Sequence, residues 1–251
     1  MNVHGVTPLR FPEGIAAPDG NLGFVELRDG GVSAIDLSTG RDVWRIAMMA
    51  RPLIVVGDRL VAEDRTESRD NVLRLVTLHL GRQGAVDRRL DPIPLPEWVA
   101  VGDPEQHFEY RVAAEDDTLI VDWDAASHYA GGAPPPPSIA AQADRRAHGR
   151  ARVNLHTGRV QAEAIEPAAR SGAIERSSGA DRADTELAAD PALPAGAHSR
   201  SVVGDRVFYL VEPASRSGGG PTLVSADLQT GLTVWERLLP ARSARPPARR
   251  M

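Results

Sequence analysis

Four times along this chain an apolar stretch ends in a turn that contains glycine, and a second short stretch follows the turn. The copies lie at residues 34–40, 77–84, 153–158 and 226–231. A second element precedes each copy, with two small or apolar residues, a turn containing aspartate and another apolar run. It lies at residues 16–19, 55–58, 113–116 and 202–205. Such runs, without a 3.6-residue apolar period, predict antiparallel strands joined by tight turns.

The repeating unit therefore has four strands, which we label A to D in chain order. The A–B turn contains the aspartate and the C–D turn contains the glycine. Repetition of a four-stranded antiparallel unit predicts an all-β fold of the β-propeller type, with about four blades. We expect one domain over residues 1–240, with blades at about 14–48, 52–93, 107–165 and 199–240.

Two copies carry a longer pattern. Residues 34–44 have the form Ala-x-Asp-x-x-Thr-Gly-x-x-x-Trp, and residues 226–235 carry Asp, Thr, Gly and Trp at the same spacing. This pattern resembles the tryptophan-docking repeat of quinoprotein-like (PQQ-like) propellers. The residues that carry the resemblance are Asp36, Thr39, Gly40, Trp44, Thr157, Gly158, Asp227, Thr230, Gly231 and Trp235.

The resemblance implies that Thr-Gly forms the C–D turn and that the tryptophan docks between blades. It also implies a comparison with quinoprotein dehydrogenases, which use larger propellers of about eight blades, a quinone with Ca²⁺ and an adjacent cysteine pair. This chain has four recognisable units and no cysteine. We therefore expect no cofactor, and an interaction module in place of a dehydrogenase.

Composition narrows the classes of partner. The net charge of −5 argues against general nucleic-acid binding, which needs a basic surface. No apolar run is long enough to span a bilayer, and the first residues lack the pattern of a secretory signal, so we expect a cytoplasmic protein. Residues 241–251 are basic and rich in proline, and we expect a disordered tail there.

Two long segments interrupt the repeat, at residues 124–149 and 166–197. The first joins a B strand to a C strand, and the second joins a D strand to the next A strand. Strand alternation sends both kinds of connection to the same face of a propeller. Because function often resides in loops on a rigid scaffold, this face is the predicted binding face.

Catalytic motifs are absent from the sequence. There is no nucleophile elbow, zinc-protease motif or phosphate-binding glycine loop. Asp122 and Asp124 flank Trp123 on a B strand, a pattern typical of a solvated strand face. Four histidines lie near the predicted binding face, namely His107, His128, His148 and His198. Their spacing is irregular, and we expect them to take part in binding without holding a metal.

Three functions remain open from the sequence. The first is a non-catalytic module that binds a protein or peptide through the B–C and D–A connections. The second is an enzyme or small-ligand binder whose site is built from those loops. The third is a partial propeller whose ring is completed by another chain, including a second copy of this one.

Overall fold

The computed structural model describes residues 8–27, 30–66, 71–99, 101, 106–127, 145–165, 194, 196–213 and 220–239. These residues are nearly all β. The helical structure among them is a single 3₁₀ turn at Leu80–Arg82. The strands form four large antiparallel sheets of the propeller-blade type and one small strand pair.

Each large sheet is built from consecutive strands, and we name the sheets blades 1 to 4 in chain order. Blade 1 contains β1 (Leu9–Phe11), β2 (Gly14–Ala16), β3 (Leu22–Glu26), β4 (Val32–Asp36) and β5 (Asp42–Ile46). Blade 2 contains β6 (Ala50–Val56), β7 (Arg59–Asp64), β9 (Leu75–His79) and β10 (Ala85–Arg89). Blade 3 contains β12 (Gln106–Glu115), β13 (Thr118–Ser127), β14 (Arg146–Asn154) and β15 (Val160–Ile165). Blade 4 contains β16 (Ala197–Val203), β17 (Arg206–Val211), β18 (Thr222–Asp227) and β19 (Thr233–Leu238).

The last four strands of each blade are its A, B, C and D strands, as the repeat predicts. Blade 1 has one additional strand, β1, which pairs with its A strand. The small pair consists of β8 (Val72–Leu73) and β11 (Ile93–Pro94), which flank the C and D strands of blade 2. Leu73 and Ile93 are fully buried in the core that blade 2 shares with blade 3.

The buried side chains reveal how the blades are ordered in space. One cluster joins blade 4 to blade 1 through Phe208 and Ile35. A second joins blade 1 to blade 2 through Phe24 and Leu60, and a third joins blade 2 to blade 3. The fourth cluster contains residues of blade 4 alone. Among the described residues the order is therefore 4–1–2–3, and no shared core joins blade 3 to blade 4.

The strands of blade 3 are longer than the repeat predicts. We expected a loop from residue 124 to residue 149, but β13 continues to Ser127 and β14 begins at Arg146. Pairing of Asp124 with His148 extends the sheet into both ends of that segment. Residues 128–144 lie outside the described residues, as do residues 166–193 of the expected insertion at 166–197 and the tail at 241–251. The second insertion ends where β16 begins, at Ala197. No described helix has the length and apolar character needed to cross a membrane.

Candidate functional site

The C–D turns close on themselves through short polar side chains. In blade 1, Asp36 Oδ1 accepts hydrogen bonds from the backbone N–H groups of Ser38 and Thr39, at 2.8 and 3.0 Å. In blade 4, Asp227 Oδ1 accepts from the N–H groups of Gln229 and Thr230, at 3.1 and 2.8 Å. Asn154 Oδ1 has the same role in blade 3, accepting from the Thr157 N–H at 2.7 Å.

These hydrogen bonds favour the ionised form of the two aspartates. The side-chain hydrogen bond from Ser38 is the largest influence on Asp36 and lowers its pKa. The backbone hydrogen bond from Thr230 is the largest influence on Asp227 and lowers its pKa as well. The polar groups of these turns are therefore largely satisfied within the turn.

Each C–D turn ends in a glycine of positive φ, which we call the turn glycine: Gly40, Gly84, Gly158 and Gly231. The residue four positions later lies on the D strand, and we call it the docking residue: Trp44, Arg88, Ala162 and Trp235, for blades 1 to 4. Three of the four docking residues contact the turn glycine of the adjacent blade. A Cβ on Gly40 would lie 2.7 Å from the Trp235 ring, one on Gly84 2.6 Å from the Trp44 ring, and one on Gly158 3.1 Å from Arg88 Cδ.

The junction between blades 4 and 1 adds directional contacts to this stacking. Trp235 Nε1 donates a hydrogen bond to the Leu37 carbonyl at 2.9 Å. Arg237 donates to the Gly40 carbonyl at 3.0 Å and to the Asp42 carboxylate at 2.6 Å. Asp42 also accepts hydrogen bonds from Ser33 and Arg45. Partial burial raises the pKa of Asp42, but the hydrogen bonds from Arg45, Ser33 and Arg237 outweigh it and lower the pKa to about 2.

A second polar cluster joins three blades on the side of the B–C and D–A connections, which we call the loop face. Glu63 is 5% exposed, and its carboxylate accepts a hydrogen bond of 2.6 Å from the Tyr110 hydroxyl of blade 3. Arg65 lies 3.2 Å from Glu63 and 2.8 Å from Glu26 of blade 1. Arg51 lies over the Tyr110 ring, with its Cζ 6.0 Å from the ring centroid.

Electrostatics stabilise this cluster in its charged form. Burial of Tyr110 raises the pKa of its hydroxyl, and the neighbouring Glu63 carboxylate raises it further. Burial lowers the pKa of Arg65, but the charges of Glu63 and Glu26 outweigh burial and raise it. At neutral pH the cluster thus contains a neutral phenol and a guanidinium on either side of the Glu63 carboxyl group. It lies beneath the loop face.

The structure places the predicted histidines that it describes on two different blades. His107 and His148 lie on the outward face of blade 3, and His107 Nε2 is 3.6 Å from Glu109. His198 belongs to blade 4 and lies 3.6 Å from Glu212. His128 is outside the described residues. No group of three or more metal-ligating side chains converges within the described part of the chain.

The two carboxylates flanking Trp123 share one face of β13, as predicted. Trp123 is buried toward blade 2, whereas Asp122 pairs with Arg150 at 2.6 Å and both side chains are about half exposed. This charged face is the outward face of blade 3.

Sequence reasoning missed Arg88 as a docking residue and the cluster around Glu63 and Tyr110. The position of Arg88, four residues after a turn glycine, was the available signal. Glu63 carried a weaker signal as a charged residue at the end of an apolar B strand. No sequence rule indicates its pairing with Tyr110, which lies 47 residues away.

Comparisons with known proteins give structural likeness at low similarity. No protein-family model matches the chain, and no curated protein matches it. BamB from Moraxella catarrhalis aligns at 13% identity with a TM-score of 0.32, over 88% of this chain and 62% of BamB. The dihydro-heme d1 dehydrogenase NirN, in complex with DHE, aligns at 14% identity with a TM-score of 0.35, over 92% of this chain and 66% of NirN. AztD from Citrobacter koseri aligns at 11% identity with a TM-score of 0.19, over 94% of this chain and 61% of AztD.

The chain thus spans less than two thirds of the length of each of these three proteins. They are β-propeller proteins, and at these TM-scores the likeness carries no argument about function. The description of this chain as a propeller-type β protein rests on its own sheets.

Proposed function

We propose that this chain is a non-catalytic propeller-type module that binds a protein or peptide partner on its loop face. The observation that carries the proposal is the difference between the two faces. The A–B turns at residues 57–58, 116–117 and 204–205 are minimal, and the C–D turns are closed by their own hydrogen bonds. The long connections, from Ser127 to Arg146 and from Ile165 to Ala197, begin and end at strand ends on the loop face.

The polar cluster supports this assignment. Glu26, Arg65, Glu63 and Tyr110 link blades 1, 2 and 3 beneath the loop face. A partly buried network of hydrogen bonds and ion pairs restricts the relative positions of the elements that it joins. A partner that contacts the described residues around this network therefore meets a pre-organised surface, which lowers the entropic cost of binding. His107, His148 and His198 belong to the proposed binding region.

Membership of the quinoprotein-like repeat family is part of the proposal. It rests on the matching Asp-x-x-Thr-Gly-x-x-x-Trp patterns of blades 1 and 4 and on the shared docking of Trp44 and Trp235. Absence of a bound cofactor and of nucleic-acid binding, and a cytoplasmic location, stay predictions from the sequence.

Single-cysteine cross-linking tests the choice of face, because the chain has no cysteine of its own. His198→Cys places one thiol at the loop face of blade 4, and Gln229→Cys places one on the C–D turn of the same blade. A thiol-reactive cross-linker in extract of the native host should attach one defined polypeptide to the first variant and not to the second. Competition by untagged wild-type protein should remove the adduct.

Cross-linking of the same polypeptide through Gln229→Cys alone would reverse the assignment. The non-catalytic part has its own readout, since the partner's mass before and after incubation with wild-type protein should be unchanged. A covalent change in the partner that requires the wild-type chain would identify an enzyme instead.

A second candidate function is a partial propeller completed by another chain. The order 4–1–2–3 favours it, because the outward faces of blades 3 and 4 share no core among the described residues. The docking residue of blade 3 is Ala162, which is exposed. Under this function, protein isolated from its native host should contain a second polypeptide at fixed stoichiometry by native mass spectrometry, whereas recombinant protein alone should not.

A further inference from the structure

The turn glycine of blade 4 differs from the other three in its exposure. Gly84 and Gly158 are buried and Gly40 is half-buried, because a docking residue of the adjacent blade lies over each of them. Gly231 is exposed. Its turn nevertheless has the form of the blade 1 turn, with Asp-Leu-x-Thr-Gly in both, a matching aspartate hydrogen-bond pattern and a φ of 69° against 71°. Blade 4 therefore retains the receiving half of a junction.

Blade 3 does not supply the missing half. Its docking residue is Ala162, whose methyl group is too small to stack across a blade junction as Trp44 and Trp235 do. The C strands of blades 3 and 1 align on Asn154 and Asp36. In this alignment the outward face of the blade 3 strand carries Arg150 and Arg152, where blade 1 has Val32 and Ala34. A charged outer face of this kind is typical of a terminal repeat.

The side of blade 4 that should face the missing element is apolar. Its inner part consists of Val207, Tyr209, Val224 and Ala226, and Leu228 packs against them. Beside the turn, Leu232 is 70% exposed, and at the opposite end of β19 Leu238 is 67% exposed. The aligned residues of blade 1 are Arg41 and Ala47, so blade 4 replaces a charge and a small residue by two leucines. An apolar sheet face that continues to an exposed leucine beside an open turn is typical of an interaction surface.

We propose that the turn at 227–231, with the neighbouring Leu232, receives a tryptophan on a β-hairpin of a different protein. The indole ring stacks on Gly231 and its N–H donates to the Leu228 carbonyl, as Trp235 does with Gly40 and Leu37. The inference rests on the second candidate function, and it names the chemistry of the completing partner.

A second copy of the chain cannot donate that tryptophan without unfolding part of itself. Trp44, Trp123 and Trp235 are buried, and Trp98 is packed against the core between blades 2 and 3. All four tryptophans of the chain are therefore committed to its own packing. The occupant is a different polypeptide, with an indole on an exposed strand edge.

A hairpin copied from this chain is a suitable probe. Residues 222–239 form the hairpin that docks on the blade 1 turn, and the blade 4 turn shares the residues that receive it. A synthetic peptide of this sequence, cyclised through its ends because isolated hairpins are marginally stable, is titrated into the full chain. The amide resonances of Gly231 and Leu232 should shift and reach saturation as peptide is added. A peptide with Trp235→Ala should bind with an affinity at least about tenfold lower.

Two protein variants locate the binding site. Gly231→Asn keeps the turn, because asparagine tolerates positive φ, but its side chain occupies the position of the ring. Gly204→Asn is the control, since Gly204 has a φ of 60° and no atom within 4 Å of an added Cβ. The first variant should lose hairpin binding and the second should keep it.

Equal binding of the two peptides, unchanged binding by Gly231→Asn, or no saturable shift at Gly231 would each overturn the inference. Concentration-dependent self-association that disappears in Gly231→Asn would assign the surface to a second copy and also overturn it. Native mass spectrometry of protein from the native host is a separate readout of the second candidate function, so failure of this inference and failure of that function are distinguishable.

Discussion

The junction between blades 4 and 1 and the junction between blades 1 and 2 both place a tryptophan over a turn glycine, with a phenylalanine beside it. The ring centroids of Phe208 and Trp235 are 5.8 Å apart, as are those of Phe24 and Trp44. The polar surroundings differ. Trp235 donates its N–H to a backbone carbonyl, whereas the buried Trp44 N–H has no hydrogen-bond partner among the described residues.

The length of the receiving turn explains the difference. In blade 1 the turn closes from Asp36 to Gly40, but in blade 2 it runs from His79 to Gly84 and contains the 3₁₀ turn and a left-handed Gln83. The blade 2 turn is thus one residue longer than the blade 1 turn. The extra residue changes the backbone path at the position where a carbonyl would accept a hydrogen bond from the Trp44 N–H. One inserted residue thus preserves the apolar stacking and removes the hydrogen bond.

Chain connectivity explains why the junction between blades 4 and 1 has more directional contacts than the junction between blades 1 and 2. Blades 1 and 2 are joined by the short link from Ile46 to Ala50, which keeps them close at low entropic cost. Blade 4 reaches blade 1 from the far end of the chain, and Trp235 is 198 residues from its acceptor Leu37. Charge-assisted hydrogen bonds through Asp42 and Arg237 compensate for the cost of that long closure.

The largest expected effect is loss of a docking tryptophan. Trp235→Ala removes a buried ring, its stacking on Gly40 and its hydrogen bond, and we expect it to lower the free energy of unfolding by about 3–5 kcal/mol. Trp44→Ala should lower the free energy of unfolding by a smaller amount within the same range, because no hydrogen bond is lost. Urea denaturation of both variants measures the difference. A larger loss for Trp44→Ala would contradict the ranking of the junctions.

Alanine substitutions at two glycines of positive φ should separate the stability cost of crowding the Trp235 ring from the cost of backbone strain. Gly40→Ala places a Cβ 2.7 Å from the Trp235 ring at a φ of 71°, and we expect a cost of about 2–4 kcal/mol from crowding and strain together. Gly204→Ala has a φ of 60° without a neighbouring atom and should cost about 1 kcal/mol. Equal losses in thermal denaturation would show that the ring moves aside freely.

The sequence predicted the β architecture because strand periodicity and turn chemistry are local properties. The Asp-x-x-Thr-Gly turns appear in the structure with the hydrogen bonds that their residue types favour. The order of blades was not predictable in this way. It depends on which sheet faces match, and the distinction between the apolar face of blade 4 and the charged outward face of blade 3 emerges only when the strands are aligned.

The candidate site was less accessible to sequence reasoning than the fold. Histidines were singled out by their chemistry, but His107 and His198 lie on different blades. Glu63 and Tyr110 meet because blades 2 and 3 pack together, and neither residue has a spacing that marks it. Arg88 was overlooked because its aliphatic stem contacts Gly158 in the place of an aromatic ring, and an amphipathic side chain can cover apolar surface in this way.

Acid should weaken the junction between blades 4 and 1 through Asp42. Its folded pKa of about 2 lies below the ordinary value of 3.8, so the carboxylate stabilises the fold fully above about pH 4 and loses that contribution as pH falls toward 2. Asp42→Asn should therefore cost about 1–2 kcal/mol at pH 7, allowing for partial solvent screening, and less at each lower pH in that window. Asp205→Asn, at an exposed A–B turn, removes a carboxylate outside this junction and is the control for the substitution itself.

The smallest expected effect gives the most direct test of the comparison. Phenylalanine keeps an aromatic ring at the docking position but cannot donate a hydrogen bond. Trp235→Phe leaves the Leu37 carbonyl without its donor and should cost about 1 kcal/mol more than Trp44→Phe, in which no hydrogen bond is lost and a buried N–H is removed. Both variants lose similar ring area, so the difference between their unfolding free energies isolates the hydrogen bond. Equal costs would mean that the Trp235 hydrogen bond contributes no net stability, and the two junctions would then differ only through Asp42 and Arg237.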